Sequence, residues 1–303
     1  MSKSLPIVIR GNKLRQTRVE LRSEKHIQSQ AVCATEEGRK KLLKILQFYD
    51  LIEEREQRVS LPIEDPQAIA VVKVLEQLGQ GVPPQYILGR ALFMGNTFYC
   101  TSDTLIPRSE TGLLVKTAYA YLEGNKSNAS RGQTVIEIGT GCGNIAVSLA
   151  MLCGEDVRIL ASDISAAAVE VARRNVEKHQ AGSKVSLFCG DLFEPFHDYQ
   201  YCVDIVICNP PYIPTTSLKK LGPEIINYEP VVALDGGPYG IVFFRRLINE
   251  SLHVLKHHGI LAFEIGEGQE KLIERLLVNN GDYKDIKFHK YNENIRAISA
   301  VKK

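Results

Sequence analysis

The residues of this chain best suited to chemistry are Asn209-Pro210-Pro211-Tyr212, which follow the apolar run Asp204-Ile205-Val206-Ile207-Cys208. Such a run is typical of a buried strand, so the tetrapeptide is expected at its carboxyl end. The side-chain oxygen of Asn209 and the carbonyl of Pro210 can each accept a hydrogen bond. The fixed φ of Pro210 keeps the loop stiff, and Tyr212 offers a flat face. The set suits a planar amino group held by both hydrogens; a Pro-rich surface turn is the alternative.

A glycine-rich turn, Glu137-Ile138-Gly139-Thr140-Gly141-Cys142-Gly143, follows another apolar run upstream. Glycines adopt positive φ and let the backbone approach a ligand closely. The spacing Gly-x-Gly-x-Gly differs from the Gly-x-Gly-x-x-Gly of dinucleotide sites, although such a turn alone could equally serve a dinucleotide. Because ligands of doubly wound sheets bind beyond the carboxyl ends of the strands, the turn is predicted to lie beside a cofactor.

Together the two segments resemble the amino-methyltransferases that use S-adenosylmethionine. These enzymes methylate a planar nitrogen, such as an adenine amine, a cytosine amine or a glutamine amide. Such a nitrogen is a poor nucleophile because its lone pair is delocalised. Holding both hydrogens favours a pyramidal nitrogen and aims the lone pair at the methyl group, so catalysis is mostly positioning at about 3–3.5 Å. Asn209, Pro210 and Tyr212 are the predicted catalytic residues, and no strong general base is assigned.

Acidic residues at the ends of two predicted strands are further cofactor candidates. Asp163 is expected to accept both ribose hydroxyls; it could instead cap the next helix, but Ser165 is the better placed N-cap. Glu137 either reaches the methionine amine or is a solvated strand end.

A third acidic residue, Asp191, follows the strand Val185–Cys189. It is expected to contact the adenine amine, with Leu192 or Phe193 against the ring. The alternative is a loop aspartate with an apolar neighbour.

The chain after residue 134 alternates apolar strands with helices, which predicts a mostly parallel sheet covered on both faces. The fold class is α/β, and the resemblance implies the doubly wound sheet of class I S-adenosylmethionine-dependent methyltransferases. Helices are predicted near 143–152, 166–180, 241–256 and 269–279. The predicted strands are Thr134–Ile138, Val157–Asp163, Val185–Cys189, Asp204–Cys208, Ile260–Ile265, Ile286–His289 and Ala297–Val301.

The chain before residue 105 is predicted to hold two further parts. Residues 1–80 form a small helical domain with helices over 36–58 and 66–79, and residues 1–30 are disordered or a solvated helix. Residues 81–104 are a Gly- and Pro-rich linker that ends in a hairpin containing a strand over Thr97–Thr101. The methyltransferase domain covers 105–303 and begins with a helix near 110–122, for which Ser109 is a plausible N-cap.

Composition limits the partners and the location. With 37 Lys and Arg against 35 Asp and Glu, a long nucleic acid is not expected as the main partner. Seven cysteines without a Cys-x-x-Cys spacing indicate reduced thiols in a cytoplasmic protein. Neither a secretory signal nor a transmembrane stretch is expected. The seven histidines lack metal-ligand spacing, so no metal is expected, and His257-His258 is interpreted as the polar end of a helix.

Several segments are similar to the HemK-type protein-(glutamine-N5) methyltransferases, from about residue 80 to the end. They are Gln85 to Gly89, Leu105 to Thr111, Glu137 to Gly143, Asn209 to Ile213, Ala233 to Gly237, and Phe263 to Gly266 followed by Gln269. The resemblance implies methylation of the glutamine in the Gly-Gly-Gln loop of class I peptide chain release factors, with S-adenosylhomocysteine as the second product. It implies cofactor contacts at Gly139 to Gly143, Asp163, Leu192 and Asn209, and substrate contacts at Asn209 to Tyr212. The helical domain would help to dock the release factor.

The chain departs from the usual pattern of that family at a few positions. Ser109 stands where Pro is usual, Gly112 where an acidic residue is, Cys142 where Ser or Thr is, and Leu192 where Trp is common. The segment Lys256 to Gly259 replaces a frequent Lys-Pro-Gly-Gly. The residues predicted to carry the chemistry are untouched by these changes, whereas the divergent N-terminus bears on the choice of protein partner.

Other functions compete with this prediction. A glutamine of a ribosomal protein could be the acceptor in the same site. DNA adenine methylation would need base flipping and a duplex-gripping surface, and the sequence has neither a separate recognition domain nor a strong positive charge. A binding protein without turnover would be expected to have lost Asn209 or the glycine-rich turn, and both are present.

Overall fold

The computed structural model describes residues 8–10, 18–20, 66–126 and 132–303. The chain divides into two compact units, Met1–Gly89 and Arg90–Lys303. The helix predicted over 36–58 lies outside the described residues.

The first unit contains two short strands and two helices among its described residues. Strands β1 (Val8–Arg10) and β2 (Arg18–Glu20) pair antiparallel, so the expected disorder or solvated helix does not hold for these six residues. Helix α1 covers Pro66–Gly79, as predicted from proline in its first turn and glycine at its end. Helix α2 (Pro84–Leu88) lies where a linker was expected, and it ends at Gly89 with φ 65°.

The second unit opens with an antiparallel hairpin of β3 (Arg90–Phe93) and β4 (Asn96–Tyr99). The predicted strand over Thr97–Thr101 is therefore β4, two residues shorter at its end. A 3₁₀ turn over Ser109–Thr111 leads into the next helix, and no side chain caps that turn. The expectation that Ser109 is an N-cap is wrong, since it is the first residue inside the turn.

A seven-stranded sheet forms the centre of this unit, with the strand order β10-β11-β9-β8-β5-β6-β7. The five strands β5 to β9 are parallel, and β11 and β10 add an antiparallel edge. The strands are β5 (Gln133–Ile138), β6 (Val157–Asp163), β7 (Val185–Cys189), β8 (Val203–Cys208), β9 (Leu255–Glu264), β10 (Tyr283–Tyr291) and β11 (Asn294–Lys302). The predicted doubly wound α/β fold is confirmed.

Helices cover both faces of the sheet because successive strand side chains point to opposite sides. Val135 of β5 joins the core cluster beneath α3 to α5, whereas the next residue, Ile136, joins the cluster beneath α7 and α8. The helices are α3 (Gly112–Asn125), α4 (Asn144–Leu152), α5 (Ala166–Lys178), α6 (Pro223–Ile226), α7 (Val242–Val254) and α8 (Glu270–Asn280).

The segment after α7 differs from the prediction. His257 and His258 lie inside β9, not at the end of a helix, since α7 stops at Val254 and the strand begins at the next residue. The strand is five residues longer at its start than the apolar run Ile260–Ile265 suggested, because Leu255 already pairs with Val203 of β8, with a register shift before Ile260. Sheet pairing there overrides a local pattern that resembles a helix end.

The order of the strands creates the site. The chain leaves β5 toward β6 and β7 on one side and returns to β8 on the other, so the connections after β5 and β8 diverge. A crevice opens where neighbouring connections diverge, at the carboxyl ends of the strands.

We expect Ser165→Ala to lower the free energy of unfolding by about 1 kcal/mol, because the Ser165 hydroxyl accepts a 3.2 Å hydrogen bond from Ala168 N at the start of α5. Urea denaturation without cofactor measures the change. Ser165→Thr retains an N-cap hydroxyl and should lose much less. Equal stability of Ser165→Ala and the wild type would contradict the cap.

Candidate active site

A cavity of about 960 Å³, its open mouth included, lies beyond the carboxyl ends of β5, β6 and β8. The predicted site residues that line it are Gly139, Thr140, Gly141, Cys142, Asp163, Asp191, Leu192, Asn209 and Pro211. Residues that the prediction placed at the site but that do not line this cavity are Glu137, Gly143, Pro210 and Tyr212.

Hydrogen bonds to the neighbouring strand β6 hold the glycine-rich turn in place. Gly141 N donates to Asp163 Oδ2 at 2.8 Å, and Thr140 N donates to the carbonyl of Ser162 at 2.8 Å. Gly143 has φ 79°, and a side chain there would approach Ala172 of α5 to 3.2 Å. Gly143 therefore lets the turn pack on α5, while Gly139 and Gly141 face the cavity.

Asp163 is fixed by two backbone donors. Besides Gly141, Ser165 N donates to its Oδ1 at 2.9 Å. Burial raises the pKa of the Asp163 carboxyl, and these backbone hydrogen bonds act in the opposite direction. Each oxygen has a further lone pair, so Asp163 fits two ribose hydroxyls; that role stays a prediction.

Glu137 is buried, so its interpretation as a solvated strand end is wrong. Its Oε2 accepts a 3.0 Å hydrogen bond from the Thr140 hydroxyl, and its Oε1 has no hydrogen-bond partner among the described residues. Burial raises the pKa of Glu137 to about 8. The carboxyl fits a cationic amine through that free oxygen, although Glu137 itself does not line the cavity.

Asn175 is a residue of the site that the sequence did not reveal. Its fully buried amide donates to the carbonyls of Cys142 at 2.8 Å and Tyr99 at 2.9 Å, and it accepts from Tyr99 N at 2.7 Å. It thus ties the glycine-rich turn to β4. Burial raises the pKa of the Cys142 thiol far above its usual range, so this departure from the family pattern adds no charge to the turn.

Asp191 and Leu192 lie beside each other in the cavity wall. Both Asp191 oxygens accept from Nη1 of Arg246, at 3.2 and 2.9 Å. The predicted contact to an adenine amine would therefore share the carboxylate with Arg246. Leu192 is 4% exposed and has φ 46°.

A second cavity, of about 560 Å³, adjoins the Asn-Pro-Pro-Tyr loop. Pro210 and Tyr212 line this cavity and not the larger one. The residues that line both are Leu105, Arg108, Asn209 and Ala233. Asn209 therefore lies where the two cavities meet.

Arg108 is held at that junction by a buried carboxylate that sequence reasoning missed. Its guanidinium pairs with Oε1 of Glu229, which is 4% exposed, and Oε2 of Glu229 accepts from Ile106 N at 3.2 Å. A buried charge is stable only when it is paired in this way.

The loop rests on the Leu-Asp-Gly-Gly segment. Ile213 N donates to the Leu234 carbonyl at 3.0 Å, and Gly236 N donates back to the Ile213 carbonyl at 2.8 Å. The Gln269 amide donates to the Tyr212 carbonyl at 3.0 Å and accepts from Gly266 N at 2.8 Å. These bonds fix the loop backbone on two sides.

A buried carboxylate, Glu264 at the end of β9, lies behind the loop. Thr111 Oγ1 donates to its Oε2 at 2.7 Å, and Tyr212 Oη donates to its Oε1 at 3.1 Å. Asn209 Nδ2 in turn donates to Thr111 Oγ1 at 3.4 Å. Arg296 of β11 donates to Tyr212 Oη at 3.1 Å. The signal that could have revealed Glu264 is its place at the end of an apolar strand, as for Glu137 and Asp163.

Comparisons with known proteins show which proteins this chain is similar to. Residues 122–262 match the family model described as the methyltransferase small domain. The release factor glutamine methyltransferase of Bacillus cereus is 35% identical, over 71% of this chain and 74% of the relative. The enzyme of that name from Bacillus subtilis is 34% identical, over 80% of this chain and 85% of the relative.

The chain belongs to the release factor glutamine methyltransferase family. The family resemblance drawn from the sequence is thereby confirmed. S-adenosylmethionine is the methyl donor of the family, and the residues that line the larger cavity fit it: flexible glycines, an acceptor pair at Asp163 and an apolar wall at Leu192.

The fold is also similar to that of the catalytic domain of hMettl16, solved in complex with the MAT2A 3′UTR hairpin 6. The TM-score is 0.54 at 15% identity, over 86% of this chain and 91% of that chain. A likeness at this level concerns the fold alone.

Two kinds of feature are absent from the described residues. Within them, no helix is both long and apolar enough to cross a membrane. The same residues contain no group of three or more His, Cys, Asp or Glu side chains that could hold a metal ion.

We expect Asp163→Ala to weaken S-adenosylmethionine binding roughly 10- to 100-fold, because it removes acceptors for the ribose and frees the Gly141 amide. Calorimetric titration measures the dissociation constant. Asp156→Ala is the matched control, since Asp156 is exposed at the opposite end of β6. An unchanged dissociation constant for Asp163→Ala would refute the ribose assignment.

We expect Gly236→Ala to lower kcat by up to about 100-fold, because a methyl group there would lie 2.8 Å from the Pro211 carbonyl oxygen and 2.9 Å from Tyr212 C and so displace the loop. Gly222→Ala is the control in the same connection, since its methyl group would meet no atom within 4 Å. Steady-state kinetics of both variants measure the effect. Equal kcat values would show that this segment does not set the loop.

Proposed function

We propose that this protein transfers a methyl group from S-adenosylmethionine to the side-chain amide nitrogen of a glutamine in a class I peptide chain release factor. The observation that carries the proposal is the position of Asn209, which lines both the larger cavity and the smaller cavity beside the loop. A donor in the first and an acceptor amide in the second would meet at this residue. The relatives named above support the reaction and the partner.

The residues of the loop supply positioning. The Asn209 oxygen and the Pro210 carbonyl each accept one hydrogen of the glutamine NH2 group, which directs the nitrogen lone pair toward the larger cavity. Tyr212, in the wall of the smaller cavity, packs against the planar amide. Holding reacting atoms in this way can supply several kcal/mol of the barrier.

When bound, S-adenosylmethionine supplies the methyl group: its methyl–sulfur bond breaks, a methyl–nitrogen bond forms, and one proton leaves the nitrogen. No side chain of the loop is a strong base. The proton can pass to water at the mouth of the cleft, because the nitrogen becomes acidic once it is alkylated.

The partner and the location complete the proposal. Residues 1–80 are proposed to help dock the release factor, and direct nucleic-acid binding is not part of the function. The alternative acceptors, a ribosomal protein and DNA adenine, are not favoured by the relatives. A cytoplasmic location agrees with six free cysteines in the described part of the chain.

We expect labelled S-adenosylmethionine to methylate a purified class I release factor and not its variant with Gln→Ala in the Gly-Gly-Gln loop. Asn209→Ala should lower kcat by about 100-fold or more, since it removes one of the two acceptors, and leave cofactor affinity nearly unchanged. Filter counting and calorimetry measure both. Equal labelling of the two release factors would place the methyl group elsewhere, and near-normal kcat in Asn209→Ala would refute the positioning mechanism.

A further inference from the structure

The orientation of the Asn209 amide decides whether the site can work. An asparagine side chain presents an oxygen acceptor on one side and an NH2 donor on the other. If the Asn209 NH2 faced the NH2 group of the acceptor glutamine, two hydrogen-bond donors would face each other. The hydrogen bond that holds the substrate nitrogen would then be lost. Something must therefore fix which side faces the substrate, and the contact partner of Asn209 is Thr111.

The buried carboxylate behind Thr111 sets the direction of each hydrogen. An ionised carboxylate accepts only, so the single hydroxyl hydrogen of Thr111 goes to Glu264 Oε2, 2.7 Å away. Thr111 Oγ1 then has only lone pairs left for Asn209, so the atom of Asn209 that faces it must be Nδ2. Oδ1 is thereby turned to the other side of the amide.

Glu264 is itself held in place by a phenol and a guanidinium. Tyr212 Oη donates to its Oε1 at 3.1 Å, and the Arg296 guanidinium lies 3.7 Å from the same oxygen. Arg296 also lies 3.5 Å from Oε1 of Glu110, in the turn that carries Thr111. Strand β11, the turn before α3 and the loop after β8 therefore all contribute to this cluster.

We propose that Glu264, acting through Thr111, is a positioning residue that orients the Asn209 amide with its oxygen toward the acceptor nitrogen. This inference rests on the proposed function and goes beyond it, because it assigns roles to Thr111 and Glu264, two residues outside the Asn-Pro-Pro-Tyr loop.

Protonation of Glu264 would reverse the chain of hydrogen bonds. A protonated Glu264 can donate to Thr111 Oγ1, which frees the Thr111 hydrogen to point at Asn209 and favours the flipped amide. Burial raises the pKa of Glu264 to about 7. The active form is the carboxylate, so kcat should fall as the pH drops through this value. The charged and titratable groups around Glu264 are Arg296, Glu110, Tyr212 and Cys208.

The test compares Thr111→Val, Thr111→Ser and Glu264→Gln with the wild type. Thr111→Val keeps the shape and removes the hydroxyl, and it should lower kcat roughly 10- to 100-fold. Thr111→Ser keeps a hydroxyl and should therefore retain most of the wild-type kcat. Glu264→Gln changes the other end of this chain of hydrogen bonds and should also lower kcat. The kcat of the wild type should decline on the acid side of about pH 7, whereas that of Glu264→Gln should not.

Two binding measurements separate positioning from damage to the fold. The dissociation constant for S-adenosylmethionine should stay within about threefold in Thr111→Val. The dissociation constant for the release factor, measured with S-adenosylhomocysteine present, should rise in Thr111→Val more than in Thr111→Ser. Thermal unfolding of each variant identifies any that fail to fold.

The outcomes are distinct. Unchanged kcat in Thr111→Val, or equal losses in Thr111→Val and Thr111→Ser, would overturn the positioning role while the labelling of the release factor stands. An acid-side decline that persists in Glu264→Gln would also overturn it. A wild-type enzyme that labels no release factor would overturn the proposed function and this inference together.

Discussion

Buried or half-buried carboxylates at the carboxyl ends of parallel strands are the constraint on which the site depends. Asp163 and Glu264 end β6 and β9, Glu137 is the last but one residue of β5, and each accepts a hydrogen bond from a segment that lines a cavity. Removing a charge from water costs several kcal/mol unless donors replace the lost hydration. The donors of the loops supply this replacement, and these contacts hold the loops at the strand ends.

The same constraint joins parts of the chain that are far apart in sequence. Glu264 accepts from Thr111, 153 residues earlier, and from Tyr212, 52 residues earlier. Asn175 also joins distant segments, but without charge, because its side-chain amide donates hydrogen bonds to the backbone carbonyls of Tyr99 and Cys142. A single substitution at such a position loosens two segments at once, because each depends on the same side chain.

The two cavities follow from the strand order rather than from any one motif. The connection after β5 forms the wall of the larger cavity, and the connection after β8 lies between the larger and the smaller. In the proposed function, the donor would occupy one cavity and the acceptor the other, with Asn209 between them. Burial also raises the pKa of both Glu137 and Glu264 toward neutrality, to about 8 and about 7.

The sequence alone determined the elements whose signals are local. The strand ranges Val157–Asp163 and Val185–Cys189 and the helix Pro66–Gly79 were predicted to the residue, because apolar runs, proline and glycine mark them directly. The glycine-rich turn and the Asn-Pro-Pro-Tyr loop were also visible as motifs. Tertiary structure decided what depends on contacts across the sheet: that His257 and His258 lie within β9, that Ser109 caps nothing, that Glu137 is buried, and that Thr111 and Glu264 lie behind Asn209. No spacing in the chain encodes these contacts, since they arise only when the strand order brings distant loops to one edge of the sheet.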